Sequence, residues 1–320
     1  MSRRVLLVSH AARPVAARAA AAVDAALRRH GMTPVHAPSD EDLARGGADT
    51  GSLGDVEIVL VLGGDGTILR AAELARGRGV PLLGINLGHV GFLAESERDD
   101  VDHVVARVAA RDYAVEERLT LDVTVRRPGH DAERGWAVNE ATVEKIGSRA
   151  RMLEVVIGVD GRGLSSFGCD GVVIATPTGS TAYAFSAGGP VVWPDVQALL
   201  MVPIAAHALF ARPLVVGPDS HLAVEVLARS PMSGVVWCDG RRRIDAPPGS
   251  HVEVRRGHEP VRLARLNLAP FSHRLVRKFD LPTSGWRGDA PDDAAEVTGV
   301  VAGAAGPGAD EPGADWADSP

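Results

Sequence analysis

Cysteine and lysine are scarce in this 320-residue chain. The two cysteines, Cys169 and Cys238, lie far apart and form neither a CxxC pair nor a Cys/His cluster. We therefore expect two reduced, buried thiols and no structural zinc site. Of the 34 basic residues only Lys145 and Lys278 are lysines, and neither stands in a Gly-Lys-Ser/Thr sequence. A Walker A loop is excluded, so any phosphate must be bound by another device.

Long apolar runs are also missing. No run approaches the roughly 18 residues that a membrane-spanning helix needs. The N-terminal sequence MSRRVLLVSH has an apolar run at residues 5–8, which is shorter than the core of a signal peptide, about 7–15 residues. We therefore expect a first β-strand, a cytoplasmic protein and no interaction with a membrane.

The net charge of −7 comes from one end of the chain. Residues 289–320 contain eight acidic residues and no lysine or arginine, which leaves residues 1–288 at about +1. A nearly neutral body lacks the basic face typical of nucleic-acid binding. The segment 289–320 is rich in Gly, Ala, Pro and acidic residues, so we expect a disordered acidic tail.

Residues 1–115 alternate strand-like and helix-like segments. The run VEIVLVL at 56–62 is continuously apolar, which is typical of a strand buried on both faces. The βαβα order predicts an α/β domain with an open, mostly parallel, Rossmann-like sheet. The predicted strands are 3–9, 56–62 and 80–85, and the predicted helices are 14–30, 68–78 and 99–111.

From residue 116 to 270 short strand-like segments dominate, which predicts a β-rich second domain. One segment, DVQALLMV at 195–202, has a helix-like pattern. The segment 271–288 begins with FSHRLVRKF, whose spacing fits a helix or a strand, and we expect it to return to the first domain. The predicted strand segments are 121–127, 135–146, 152–161, 171–177, 221–228, 234–246, 251–256 and 261–266.

A glycine-rich loop, GGDGT at 63–67, follows the buried strand 56–62. Open α/β sheets bind ligands at the carboxyl ends of their strands. Gly63, Gly64 and Gly66 would allow a phosphate to approach the backbone, and the helix that we expect to begin near Thr67 or Ile68 would point its N–H groups there. Asp65 would then hold a metal, accept a proton or bind a sugar hydroxyl. The alternative is a plain turn in which Asp65 caps the helix.

Two further stretches contain polar residues at unusual places. Asn139 and Glu140 are adjacent on a predicted strand and would point to opposite faces, unless the strand is an edge strand or has a bulge. The stretch SSFGCDGVVIATPTGSTAYAFSAGGP, 165–190, combines Asp170, several hydroxyls and an aromatic ring after a strand. Small polar groups beside an aromatic ring suit a nucleotide base, which can stack on the ring.

These motifs together resemble those of NAD kinases, which phosphorylate NAD to NADP with ATP. The similarity covers about residues 3–288. GGDGT alone is shared with lipid and sugar kinases, whereas CDGVVIATPTGSTAY with the Asn-Glu pair is specific. The matching stretches are GGDGT at 63–67, GINLGHVGFLAE at 84–95, Asn139-Glu140 and CDGVVIATPTGSTAY at 169–183.

The resemblance implies a role for each matching position. Asp65 would be the base or hydrogen-bond partner of the adenosine 2′-hydroxyl, with Gly66 and Arg70 lining the same pocket. Asn139 and Glu140 would bind hydroxyl and amide groups of NAD. The remaining expected contacts are Asp170 at the second end of the dinucleotide, Thr178, Gly179, Ser180, Thr181, Ala182 and Tyr183 around the adenine, and Gly63, Gly64, Gly66 and Thr67 in the phosphate loop.

The resemblance also implies a divalent cation, with Mg²⁺ expected, ATP as phosphoryl donor, and a homo-oligomer, dimer or tetramer, whose subunits share a site. Arg151 falls where the family has a contact from a neighbouring subunit. The chain departs from the family at Gly168, where some relatives have arginine, and at Arg241, where many have glutamine. Arg241 is either a substrate contact or a solvated residue after an Asp-Gly hairpin turn.

Two other functions remain open at this point. A lipid or sphingoid-base kinase would share the GGDGT loop but would need an apolar channel and no base-stacking loop, which Thr178 to Tyr183 argue against. A dinucleotide-binding regulator without catalysis would not need Asp65.

Overall fold

The computed structural model describes residues 3–9, 14–38, 54–86, 91–94, 101–147, 151–267 and 270–282. The predicted tail, 289–320, lies outside the described residues, as do residues 283–288 of the segment predicted to return to the first domain. Chain contacts separate residues up to Phe279 from those that follow. Among the described residues, no helix has both the length and the apolar character needed to cross a membrane.

Residues 4–118, together with one strand from late in the sequence, build a six-stranded sheet, and the predicted mostly parallel α/β domain is confirmed. Strand β3, Ile58–Leu62, is buried at every residue, as its continuous apolar run indicated. The helices on this sheet are Pro14–Arg29, Asp65–Ala75 and Val101–Ala110. In spatial order the strands are β2 (Thr33–His36), β1 (Arg4–Ser9), β3, β4 (Leu82–Ile85), β18 (Val261–Arg265) and β5 (Ala114–Arg118).

Strand β18 returns to the first sheet from late in the sequence. Leu263 pairs in parallel with Leu82 on one side and antiparallel with Glu116 on the other. The sequence pattern predicted a strand here but placed it in the second domain, because apolar alternation does not identify the sheet that a strand joins. The chain then continues into the helix Phe271–Phe279.

The rest of the chain forms two six-stranded antiparallel sheets that share one apolar core, which confirms the β-rich second part. One sheet has the order β10 (Arg162–Cys169), β9 (Leu153–Val159), β14 (Leu222–Val226), β17 (His251–Arg256), β6 (Leu121–Arg126) and β7 (Glu133–Ala137). The other has the order β13 (Leu214–Val216), β12 (Leu199–Ile204), β11 (Gly171–Ala175), β8 (Glu140–Lys145), β15 (Gly234–Cys238) and β16 (Arg242–Ala246).

The helix-like pattern at 195–202 is wrong, because the segment contributes strand β12. Met201 pairs with Ile174 of β11, and residues 199–202 are all buried. A short, fully apolar run has no periodicity that distinguishes a buried strand from a buried helix. Residues 199–202 are buried on both faces of the sheet, and this burial favours a strand over a helix.

Candidate active site

The GGDGT loop joins β3 to the helix Asp65–Ala75, which begins two or three residues before the expected start near Thr67 or Ile68. Gly64 is the N-cap residue, and no side chain caps this helix. Asp65 therefore lies in the first helical turn, and the alternative that it caps the helix is wrong. Thr67 is buried, and its N–H donates to the Gly64 carbonyl at 2.9 Å.

Gly64 and Gly66 are exposed, and the fold itself does not require glycine at either position. Neither residue has a left-handed backbone conformation. A Cβ added to either one would meet no atom of the described chain within 4 Å. Helix N-termini carry unpaired N–H groups and a partial positive charge. The loop thus leaves bare backbone open to an anion at the start of the helix.

The carboxylate of Asp65 is fixed by backbone N–H groups from the segment after β4. Phe92 donates its N–H to Oδ2 at 3.1 Å, and Leu93 donates its N–H to Oδ1 at 3.0 Å. A Cβ on Gly91 would collide with the same carboxylate, so this close approach requires glycine. Both oxygens of Asp65 therefore accept a backbone N–H group, which fixes the orientation of the carboxylate.

A second layer of residues holds the segment that positions Asp65. The carbonyl of Leu93 accepts from Arg265 Nη1 at 2.9 Å, and the carbonyl of Phe92 accepts from Arg274 Nη1 at 3.2 Å. The Phe92 ring also lies 5.7 Å, centroid to centroid, from that of Phe271. Strand β18 and the C-terminal helix therefore support the predicted catalytic residue through Phe92 and Leu93.

Arg70 lies on the helix that begins with Asp65 and is buried. Its guanidinium donates to the carbonyls of Ser9, at 3.3 Å, and of Pro38. Ser9 is the last residue of β1, and Pro38 lies two residues after the end of β2. The structure therefore places Arg70 at the expected edge of the sheet, with its side chain bonded to backbone carbonyls.

Asn139 lies in the short turn between β7 and β8. Its carbonyl accepts the N–H of Thr176 at 2.9 Å, and its own N–H donates to Asp239 Oδ1 at 2.7 Å. Strand β8 is central in its sheet, between β11 and β15, so the edge-strand alternative for this pair is wrong.

Glu140 begins β8 and is 8% exposed. One carboxyl oxygen accepts the backbone N–H of Tyr183, and Oε2 is buried without a hydrogen-bond partner among the described residues. Burial, followed by repulsion from Asp239 and from Glu144, raises the pKa of Glu140 to about 8. A buried polar atom without a partner is costly, and a polar ligand group would relieve that cost.

The TPTGST stretch forms a 3-10 helix, Thr178–Thr181, packed against the Asn139 turn. A Cβ on Gly179 would collide with the Asn139 carbonyl. Ser180 is fully buried, and its hydroxyl both donates to the Val192 carbonyl at 3.1 Å and accepts the Val192 N–H at 2.9 Å. Thr181 donates its hydroxyl to the Thr178 carbonyl at 3.3 Å. Glycine and hydroxyls here build the turn itself, which the sequence pattern did not reveal.

Tyr183 follows this turn and is 40% exposed, so its ring has a face available for stacking. Ala182 precedes it and connects the 3-10 helix to the short helix Tyr183–Ser186. Asp170 lies between β10 and β11 and pairs with Lys145 Nζ at 2.6 Å. Its carboxylate remains partly exposed.

Arg151 and Arg241 complete the set of predicted site residues. Arg151 lines a surface pocket of about 510 Å³ together with Gly168 and His207, and none of the other residues predicted to form the site lines it. Arg241 Nε pairs with Glu73 Oε1 at 3.1 Å, so its guanidinium contacts the helix that carries Asp65.

Sequence reasoning missed Asp239, which is 7% exposed and bonded to the Asn139 turn. Its only sequence signal was the Asp-Gly turn, in which Asp239 has a positive φ of 53°. Cys169 and Cys238 are free and buried, as expected, and burial raises the pKa of both thiols to about 12. Among the described residues, no group of three or more His, Cys, Asp or Glu side chains forms a metal site.

Comparison with known proteins identifies relatives over most of the chain. The family model described as ATP-NAD kinase N-terminal domain matches residues 20–113, and the ATP-NAD kinase C-terminal domain matches residues 138–266. NAD kinase 2 of Streptomyces coelicolor is 58% identical over 89% of this chain and 97% of its own length. NAD kinase of Thermobifida fusca is 56% identical over 91% of this chain and 93% of its own length.

Solved structures agree with these matches. An NAD kinase from Archaeoglobus fulgidus in complex with ATP is 26% identical, with a TM-score of 0.68 over 88% of this chain and 100% of that chain. Yeast NADH kinase complexed with NADH has a TM-score of 0.80 over 90% of both chains and, at 22% identity, shows the shared fold. The matches cover both sheet regions and favour neither the lipid-kinase nor the regulator hypothesis. The chain belongs to the NAD kinase family.

Proposed function

We propose that this chain transfers the γ-phosphoryl group of ATP to the adenosine 2′-hydroxyl of NAD and that Asp65 accepts the hydroxyl proton. One observation carries the proposal: exposed glycine backbone at 64 and 66 lies beside an Asp65 carboxylate that two N–H groups fix in place. Phosphoryl transfer requires an aligned hydroxyl and compensation of phosphate charge more than covalent assistance. In this loop the Asp65 carboxylate can align the hydroxyl, and the exposed glycine backbone can compensate the phosphate charge.

In the proposed reaction the 2′-oxygen forms a bond to the γ-phosphorus as the bond between that phosphorus and the β,γ-bridging oxygen breaks. ADP carries away the electron pair of the broken bond, and the hydroxyl proton passes to Asp65. The N–H groups of the first helical turn stabilise negative charge on the phosphates. Phe92 and Leu93 keep the carboxylate aimed, because each of its oxygens already has one partner.

NAD would be held by the groups around the Asn139 turn. Glu140 Oε2, buried and without a partner among the described residues, would bind a hydroxyl or amide of NAD. The half-exposed Tyr183 ring would stack on the adenine, and the backbone of residues 178–182 would line the same cleft. Asp170 would meet the other end of the dinucleotide.

The proposal includes a divalent cation that enters with ATP. No cluster of three or more acidic, histidine or cysteine side chains occurs in the described residues, so this part of the chain offers no all-protein cage for the cation. Mg²⁺ commonly binds nucleotide phosphates and keeps most of its water ligands. Mg²⁺–ATP is then the substrate, and Asp65 accepts the proton of the NAD hydroxyl.

We also propose a cytoplasmic homo-oligomer whose subunits share their sites. Arg151 lines a surface pocket that none of the other predicted site residues lines. We therefore propose that Arg151 contacts the NAD that is bound by a second copy of this chain.

The test is the identity of the product. Purified protein is incubated with ATP, Mg²⁺ and NAD, and the product is assayed with an NADP-specific dehydrogenase and by phosphorus NMR for a 2′-phosphomonoester. We expect NADP, and no lipid phosphate when a diacylglycerol or sphingoid base replaces NAD. Folded protein that forms no NADP would overturn the proposal, and phosphorylated lipid would favour the lipid-kinase alternative.

A further inference from the structure

The hairpin turn between β15 and β16 lies directly against the Asn139 turn. The Asp239 carboxylate accepts the N–H of Val138 at 2.9 Å and that of Asn139 at 2.7 Å. The N–H of Asp239 donates to the Glu140 carbonyl at 2.9 Å. Asp239 is therefore bonded to three consecutive residues, two of which are predicted to bind NAD.

The hairpin turn itself accounts for the backbone of Asp239. Asp239 and Gly240 have φ values of 53° and 63°, and a two-residue hairpin turn with positive φ at both positions favours Asp-Gly. Burial of the carboxylate is a separate feature. Asp239 is 7% exposed, and burial raises the pKa of its carboxyl. Such a turn also forms with Asn or Gly and needs no buried charge, so the contacts of the carboxylate, and not the turn, account for an acid at this position.

The same turn also reaches the helix that carries Asp65. Arg242 Nη2 pairs with Asp239 at 2.7 Å, and Arg242 Nε lies 3.2 Å from Glu73 Oε1. The Trp136 ring lies between two guanidinium groups, those of Arg242 and Arg76, each 4.2 Å from its centroid. Charge pairs and cation–π contacts of this kind orient guanidinium groups. A continuous chain of contacts therefore runs from the Asn139 turn to the helix of the GGDGT loop.

We propose that Asp239 is a positioning residue for NAD: it fixes the Asn139–Glu140 backbone and, through Arg242 and Glu73, ties this backbone to the helix that carries Asp65. The proposal rests on the proposed function, because NAD is the ligand that the Asn139 turn would bind. Asp239 itself touches the Asn139 turn and Arg242, and it acts on NAD through them.

Asp239 also affects the charge of Glu140. The ionisable groups facing Glu140 are Asp239 from the hairpin turn, Glu144 from the same strand and the Tyr183 phenol, and Arg242 partly neutralises Asp239. The charge of Asp239 contributes to the raised pKa of Glu140. Removing that charge should lower the pKa of Glu140, so ligand binding that depends on Glu140 should change its pH midpoint in the same direction.

The experiment compares Asp239→Asn with the matched control Asp245→Asn, whose aspartate is exposed and pairs with Arg243 on the same hairpin. Asn in place of Asp239 turns an amide N–H₂ toward a backbone N–H and removes the charge that pairs with Arg242. We expect the KM for NAD to rise at least tenfold with a smaller change in kcat and in the KM for ATP. We also expect the pH midpoint of the NAD KM to move to lower pH. The control should match the wild type.

A residue that only stabilises the fold would lower the melting temperature and leave the NAD KM and its pH midpoint unchanged, and that result would overturn the proposal. If Asp239→Asn does not fold, the KM for NAD is measured with Arg242→Gln instead. An NAD KM raised about threefold supports the proposal, and an unchanged KM overturns it. Wild-type protein that makes no NADP would instead overturn the proposed function, so the two failures are distinguishable.

Discussion

Replacing Glu140 with glutamine removes a carboxyl that the fold buries at 8% exposure with one oxygen unpartnered among the described residues. The pKa of Glu140 is about 8, against an ordinary value of 4.5, because of burial and then the nearby charge of Asp239. Glutamine has nearly the same shape, and its carbonyl can still accept the Tyr183 N–H. The substitution therefore changes the titration with little change in packing.

The sign of the effect follows from proton binding. Between pH 4.5 and 8 the folded protein holds a proton on Glu140 that the unfolded chain has lost, so stability falls as pH rises through this window. One pH unit of this difference corresponds to about 1.4 kcal/mol. The whole window gives an upper limit of roughly 5 kcal/mol, and screening in the real site reduces it to about 2–4 kcal/mol. Glutamine does not titrate, so this loss of stability is absent in the variant.

The assay is urea unfolding, followed by tryptophan fluorescence, at pH 5.5, 6.5, 7.5 and 8.5 for the wild type, Glu140→Gln and the exposed control Glu117→Gln. We expect the free energy of unfolding of Glu140→Gln to rise relative to that of the wild type by about 2–4 kcal/mol across this range. The control should follow the wild type. Equal pH slopes in the wild type and Glu140→Gln would refute the buried-carboxyl account.

Three other substitutions test the site. Tyr183→Ala should raise the KM for NAD more than it lowers kcat, because a lost stacking contact is worth about 1–3 kcal/mol; an unchanged KM would show that the ring does not meet the base. Gly66→Ala should leave the melting temperature equal or slightly higher, since alanine favours helices by up to about 1 kcal/mol, while the KM for ATP rises at least tenfold; normal ATP kinetics would show that the open backbone is not used. Gly179→Ala should instead lower stability by about 1–3 kcal/mol, because its Cβ meets the Asn139 carbonyl; a melting temperature equal to that of the wild type would contradict this contact.

The first sheet was predictable because its strands are short apolar runs followed by turn signals. Continuous burial of β3 and the alternation of strands and helices determine the layer arrangement. Two elements were not predictable in this way. Strand β12 lacks any periodicity, and β18 joins the first sheet through pairing with Leu82, a partner about 180 residues earlier, which no local pattern encodes.

The candidate site was predictable only in part. Asp65 and the Asn139–Glu140 pair stood out as polar residues beside buried strands, and the structure places them in defined hydrogen-bond networks. Asp239, Phe92 and Leu93 act through hydrogen bonds that involve backbone N–H groups of segments distant in the sequence. The identity of a side chain does not predict such contacts. The hydroxyl of Ser180 suggested a ligand contact, and in the structure it bonds to the Val192 backbone and so holds the turn, which no local pattern indicates.

The most direct test of the account is the turnover of Asp65→Asn. The structure adds one requirement: asparagine turns an N–H₂ toward the N–H of Phe92 or Leu93, which can cost about 1–3 kcal/mol of stability, so kcat must be measured on protein shown to be folded. Asp102→Asn, an exposed aspartate in the first turn of another helix, is the matched control. If Asp65 accepts the 2′-hydroxyl proton, kcat of Asp65→Asn falls by about 10²–10⁴-fold while NAD still binds by calorimetry, and the control keeps wild-type turnover. Folded Asp65→Asn protein with near-normal kcat would contradict the account.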